Sequence, residues 1–365
     1  MTSRAVDGVL IVGGGYAGVH TARSVRRAGR SASVVDPTGR HDFVTRLAAV
    51  AGGTAPTSDA AAPLSDFADD VIIGSMTAVR DGEVDLSDGT TLTADAVVIT
   101  AGAVPITPPI DGIEHAYPLR TEADALELRA EIETCDAVVI VGGGATGVQL
   151  AGAIAAAQPR TAVTIVDVSD RLLAGMGKAS GRDAARILCE RGVSIRLGSE
   201  VDEILEHGVL IDGEATDGLP VWAGGFAARA DQFGLPANDE GRLLVDRFLR
   251  VEGWTKTFAA GDIALHLTED GDELPMSAQI AVQAGDAAGR NAVRTLRGDA
   301  LDRADLGHRG WVLDLGGNRG LAEVGPVALT APFLDLLPPT LHWGIDMKHL
   351  IETRGLAGFN DRPGA

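Results

Sequence analysis

Two sets of glycines stand at a spacing that suits binding a diphosphate. Gly13, Gly15 and Gly18 fit GxGxxG, and Asp36 follows Gly13 by 23 residues. Gly142, Gly144 and Gly147 repeat the pattern, and Asp167 follows Gly142 by 25 residues. In such a turn the first glycine allows the sharp bend and the second lets backbone approach a pyrophosphate. The third lets helix and strand pack closely. The amides of the following helix then face the phosphates, and the distal acid accepts hydrogen bonds from a ribose hydroxyl. One copy would be a weak signal; two copies with their acids point to two dinucleotides. A carboxylate at the second ribose repels a 2′-phosphate, so Asp167 favours NADH over NADPH, although Arg171 four residues on could soften that preference.

The elements that must hold these turns are also repeated. VLIVGGGYAG at 9–18 and VVIVGGGATG at 138–147 lie 129 residues apart. Each runs strand, glycine turn, helix, strand, acid, and the four- or five-residue apolar runs suit strands of a parallel sheet covered on both faces. EVDLSDGTTLTADAVVITAG at 83–102 adds an alternating hairpin around Asp88-Gly89 and a buried returning strand, and GVLIDGEATDGLPVWAGG at 208–225 repeats that plan. The expectation is an α/β protein of two Rossmann-like dinucleotide-binding domains. The first shows no closing segment of its own, so the chain is expected to return to it after residue 235. The domains are therefore placed at 1–114 with 236–300, at 115–235, and in a C-terminal interface region at 301–365.

Composition narrows the class. The 365 residues carry 31 Lys or Arg against 51 Asp or Glu, a net charge of −20. That balance disfavours nucleic acid, whose phosphates need clustered positive charge. Two cysteines, Cys135 and Cys189, give no disulfide framework and no Cys-x-x-Cys pair. The eight histidines show no metal-ligand spacing, and only His266 invites attention. Residues 137–158 are uncharged and long enough to span a bilayer, but Gly142-Gly143-Gly144 interrupts them, so a strand, turn and helix are expected instead. No secretory signal is read at the N-terminus.

On these residues the sequence resembles the two-dinucleotide-domain flavoprotein reductases, and within them the type II NADH:quinone oxidoreductases and apoptosis-inducing-factor-like proteins. The resemblance implies FAD on Gly13, Gly15, Tyr16, Ala17 and Gly18, with Asp36 at the adenosine ribose, and NADH on the second turn. It implies that HDFVTRLAAVAGG (41–53) lies beside the flavin and that Thr100-Ala101-Gly102 replaces the family's Thr-Gly pair. TFAAGD then puts Gly261 and Asp262 near the ribityl and pyrophosphate, and VWAGGF puts Gly224 and Gly225 near the nicotinamide. AQIAVQAG at 278–285 fits the AQxAxQ pattern of quinone-reducing members. Gln279 and Gln283, four apart on one helix face, would line the acceptor side, or else only satisfy neighbouring backbone.

The departures carry information too. Gln149 replaces the glutamate that usually ends the second turn and cannot relay a proton, or is a neutral packing replacement. Arg46 stands in a Thr-Arg-Leu-Ala run where the family has Pro-Leu-Leu-Tyr, and would bring a cation towards the flavin. Residues 331–365 hold three basic residues (Lys348, Arg354, Arg362) against four acids, which does not attract anionic headgroups; Trp343, Ile345, Met347 and Leu350 are expected to cover the flavin domain. The expected activity is passage of hydride from NADH to FAD and on to a small quinone-like acceptor, in a cytoplasmic protein with weak or peripheral membrane contact. A homodimer is left open. The alternatives are a specialised-metabolism flavoenzyme, a reductase of ferredoxin-type partners, and a non-enzymatic NADH-sensing binding protein.

Overall fold

Short apolar runs form the centre of two parallel sheets because both faces of each are covered. In the computed structural model, which describes residues 2–324 and 327–330, Val9, Leu10 and Ile11 are fully buried. Each such side chain contributes roughly 1.5–3 kcal/mol on leaving water. The first sheet has the strand order Thr257–Ala259, Ala96–Ile99, Val9–Val12, Ala32–Asp36, Asp70–Ile73, all parallel. The second has Tyr117–Pro118, Leu219–Trp222, Ala137–Val141, Ala162–Asp167, Ser194–Leu197, again parallel. The orders correspond position by position, so the sequence repeat is a structural repeat. The chain does come back to the first sheet late, through Thr257–Ala259 beside Ala96–Ile99.

Helix α1 (Tyr16–Arg27) follows the first glycine turn, and α2 (Leu47–Ala51) lies in the 41–53 segment. Beyond them come α3 (Glu122–Ile132), α4 (Ala145–Ala157) after the second turn, α5 (Lys178–Glu190) and α6 (Ala278–Arg297). α6 packs along α1, so closely that a Cβ at Gly285 would run into the backbone of Ala17. α2 buries Leu47, Val50 and Ala51 in the core of the second unit, against Val148, Leu150 and Ile154 of α4. The two units thus share a seam.

Each unit carries an antiparallel excursion of three consecutive strands: Met76–Arg80, Glu83–Leu86 and Thr90–Thr93 in the first, Val201–Leu205, Gly208–Ile211 and Glu214–Asp217 in the second. Thr2–Ala5 adds a parallel edge to the first. After α6 an extended strap runs along the helix. Asn291 on α6 donates to the Asp302 carbonyl and accepts from its amide, both at 2.8 Å. The chain then crosses to the second unit, where Trp311–Asp314, Gly320–Val324 and Val327–Thr330 form a three-stranded sheet. Leu313, Leu315 and Leu321 join the core that contains α4. Trp343, Ile345, Met347, Leu350 and the charges of the tail lie outside the described residues.

Candidate functional site

The two glycine turns are built alike, contact by contact. Gly13 has φ +109° and Gly142 has φ +121°, a region that a side chain disfavours. A Cβ on Gly13 would strike the Thr100 carbonyl, and one on Gly142 the Ala223 carbonyl. Gly18 and Gly147 each pass so close to the carbonyl of the first glycine that a Cβ could not fit. The middle glycines differ in kind: a Cβ on Gly15 or Gly144 would meet no protein atom within 4 Å. The fold therefore leaves both middle positions open to a group that approaches the backbone.

The helix starts agree. α3 begins with a capping box in which Thr121 accepts from the Asp124 amide, and α6 begins with Ser277 accepting from the Ile280 amide. α1 and α4 begin at Gly15 and Gly144 with no side-chain cap. Their first amides are left available to an anion, with the helix dipole aligned to favour it.

Both acids are tied to the turns. The Asp36 carboxylate accepts from the Gly14 amide at 2.9 Å through one oxygen, and from Thr38 N at 2.9 Å and Thr38 Oγ1 at 2.8 Å through the other. Asp167 accepts from Gly143 N at 2.5 Å and from Ser169 N at 2.7 Å. Arg171 turns back on its own loop, donating to the carbonyls of Leu173 at 2.9 Å and of Ala174.

Residues 7–285 match the family described as "Pyridine nucleotide-disulphide oxidoreductase", well over half of the chain. The chain belongs to this family.

It is accordingly an NAD(P)H-dependent FAD oxidoreductase, and the paired cradles fit FAD and NADH. It is similar to a type II NADH:quinone oxidoreductase of Staphylococcus aureus, with 25% identity over 359 residues covering 87% of this chain and 89% of that one. Its fold is similar to that of NDH2 from Plasmodium falciparum in complex with NADH, with TM-score 0.79, 16% identity, and 98% and 99% of the two chains covered. The water-forming NADH oxidase of Lactobacillus brevis shares the fold at TM-score 0.75 and 20% identity, over 88% of this chain and 75% of that one.

Around the first cradle of this oxidoreductase the support is aromatic. Tyr16 shares a hydrogen bond of 2.9 Å with Thr45 Oγ1, and its ring meets that of buried His41 edge-on at 5.0 Å. His41 lies 2.8 Å through Nδ1 from the Gly14 carbonyl, so Nδ1 carries the proton. Ala17 is pressed by Gly261 from the far part of the chain, where a Cβ on Gly261 would come 2.8 Å from its Cβ. Asp262 is thereby brought to the start of α1. It pairs with Arg120 at 3.3 Å, and the Arg120 guanidinium lies 4.8 Å over the Phe226 ring.

Arg120 escaped sequence reasoning, since its carboxylate partner is 142 residues away. It stands where both connections between the units meet: Val104–Pro105 pairs with Phe226–Ala227, and Ile106 N donates to Gly225 O at 3.1 Å. Gly102, at φ +71°, lies beside the Arg120 guanidinium. Gly224 makes room for the Trp222 indole.

The glutamines of AQIAVQ have a definite task in this structure. Gln279 accepts from Arg309 N at 2.7 Å and donates to Gly310 O at 3.3 Å. Gln283 donates to Gly307 O at 3.0 Å and to Gln279 O at 3.1 Å, and accepts from Gly307 N at 3.2 Å. With Asn291 they form a row of amides that fastens the strap to α6.

Arg46 and Gln149, by contrast, come together. Both line a small cleft between α2 and α4, with Thr45, Thr54, Asp314 and Gly316. The Arg46 charge is partnered by Asp59 at 2.8 Å. Gln149 makes no side-chain hydrogen bond among the described residues, so its amide is free to donate and accept in the cleft. Thr45 links that cleft to Tyr16 of the first cradle, and Gln149 stands two residues beyond Gly147 of the second.

Proposed function

We propose that the Gly13 cradle holds FAD and the Gly142 cradle NADH. The electrons then go to a small, planar, quinone-like acceptor. The observation that carries this reading is the pair of glycine cradles, each open at its middle glycine and followed by a helix with no side-chain cap. Between them Thr45, Thr54, Gln149, Asp314 and Asp59-paired Arg46 line a small polar cleft with room for about one water, a seam that the carbonyl of an acceptor would approach rather than a pocket that encloses it. The name of the Staphylococcus aureus relative supports the acceptor class. Cysteine placement supports it as well: the chain has two cysteines, both free, with Cys135 after α3 and Cys189 exposed on α5. No dithiol pair is available for disulfide exchange.

Bound FAD supplies the two-electron relay between NADH and acceptor. The chain's own residues bind, orient and screen. Asp36 and Asp167 hold their turns through Gly14 and Gly143 and offer oxygens towards the riboses, and the uncapped starts of α1 and α4 receive the diphosphates. Gln149 can donate to an acceptor carbonyl, or accept from the hydroxyl of its reduced form, without adding charge. Among the described residues no helix is long and apolar enough to cross a membrane. The acidic balance of residues 331–365 argues for contact with a membrane surface that is peripheral at most.

The test is rapid mixing of the full-length flavoprotein with NADH, followed by menadione, oxygen or ferredoxin in separate second mixes. Fast bleaching with recovery fastest for menadione is expected. A bleached state that persists with every acceptor would favour the NADH-sensing alternative, and recovery fastest with ferredoxin would replace the acceptor class.

A further inference from the structure

His266 is a buried histidine, 2% exposed, with an assignment that its hydrogen bonding makes definite. Its Nε2 accepts from the Gly261 amide at 3.1 Å, so the proton sits on Nδ1. Nδ1 is buried and has no partner. An apolar side chain of similar size would fill this space without orphaning a donor, so packing alone does not explain a histidine there. What it provides is an acceptor for Gly261. That glycine has φ +81°, and its amide points into the core. Gly261 is also the residue pressed on Ala17 at the start of α1, and it aims the next residue, Asp262.

We propose that His266 is a positioning residue for the flavin: its neutral Nε2 fixes the Gly261 turn that holds Asp262 against the first cradle, and the grip on FAD depends on that hydrogen bond. The inference rests on the assignment of FAD to the Gly13 cradle. The surroundings are consistent with a neutral ring. The facing charge is Arg242, itself buried, which donates to the carbonyls of Ala264 at 3.0 Å and Leu274 at 3.2 Å and lies 3.8 Å from Glu273. Asp262 acts on the same guanidinium at longer range, as does Glu240. Burial, with Arg242 adding to it, lowers the His266 pKa to about 4. Protonation removes the acceptor, so the turn loses its anchor only in acid.

The experiment follows flavin fluorescence as full-length holoprotein is diluted, for wild type, His266→Leu and His266→Gln. Leucine removes the acceptor, whereas glutamine places an amide oxygen near the Nε2 position. FAD dissociation is expected to strengthen about tenfold for His266→Leu, with His266→Gln within about threefold of wild type. NADH binding at the second cradle, read by protein fluorescence, should stay unchanged in both. Wild type should release FAD more steeply than His266→Gln as pH falls towards about 4, and this arm decides the matter if the leucine variant does not fold. Equal FAD retention in wild type and His266→Leu, or superimposable acid profiles for wild type and His266→Gln, would overturn the proposal. Wild-type protein that retains no FAD while binding NADH would instead overturn the cradle assignment on which it rests.

Discussion

The two cradles have the same turn, the same acid and the same uncapped helix, yet they are enclosed differently. The first is closed in by residues from distant parts of the chain. Thr45 bonds Tyr16, His41 lies under Gly14, and Gly261 presses on Ala17. α6 covers α1, with Thr21 donating to the Gly285 carbonyl at 3.1 Å. At the second, the turn itself is framed by its own unit, with Asp167 bonded to Gly143 and Ala223 behind Gly142, while α2 and Leu315 reach α4 farther along the helix, at Ala153 and Gly152. Enclosure slows release, and openness permits turnover. The difference teaches that one fold can serve a resident group and an exchanging one, with the distinction made by what packs over the turn.

The sharpest way to break that comparison is to fill the two open middle positions. Gly15→Val should fold, because no protein atom is near, but keep less than about a tenth of the wild-type flavin on purification. Gly144→Val should keep its flavin and raise the KM for NADH at least about tenfold. A yellow Gly15→Val protein with normal reduction kinetics would remove the first cradle from flavin binding.

The acids come next. Asp167→Ala should lower the NADH-over-NADPH ratio of kcat/KM by about tenfold, since Arg171 already serves its own loop. Asp36→Ala should leave that ratio alone and speed flavin loss. An unchanged nucleotide preference in Asp167→Ala would undo the assignment of the second cradle.

A smaller effect separates the amides. Gln283→Leu leaves the Gly307 amide and carbonyl without their side-chain partner, and should lower Tm by about 2–4 °C. Gln149→Leu should leave Tm nearly unchanged and slow reoxidation by menadione. If Gln283→Leu slowed only reoxidation, with Tm intact, the acceptor would belong beside α6.

The smallest is a pH effect at the seam between the units. Asp42 accepts from the Glu122 amide at 3.2 Å, and burial, aided by the Glu122 and Asp36 charges, raises its pKa to about 6. The folded protein therefore keeps this proton between about pH 4 and 6, where the unfolded chain has lost it. The contribution favours folding fully below about pH 4 and is lost as pH rises through 6. Asp42→Asn should raise Tm at pH 7 by a degree or two, roughly, with the gain fading below pH 4. A constant gain at every pH would assign it to something other than titration.

Much of this was legible in the sequence because its causes are local. Gly13 and Gly142 announce their turns through neighbours a few residues away, and the late return of the chain followed from a first unit that lacked a closing strand. Met76–Arg80 and Val201–Leu205 were not anticipated as strands: MTAVR and VDEIL carry charges and only weak alternation, and pairing with the next strand organises them. Arg120 was invisible because its partner is remote. The glutamines were visible as a motif, but their partners are backbone atoms of 307–310, a segment with no pattern of its own. Sequence spacing revealed which face they share and left open what that face would meet.

The strap from Asp302 to Gly310 has a consequence for how this protein can vary. Its carbonyls and amides meet Asn291, Gln283 and Gln279 in fixed succession before Arg191 seizes the carbonyls of Leu315, Gly316 and Gly317 on the other unit. Inserting one residue would slide the ladder by about 3.3 Å and leave the far anchor out of step. The hairpin between Thr268 and Asp272, whose backbone closes on itself and which reaches the strap through an exposed Glu269–Arg303 pair at 3.6 Å, could lengthen with little cost. Descendants of this chain should therefore differ in length at the hairpin and scarcely at all along the strap.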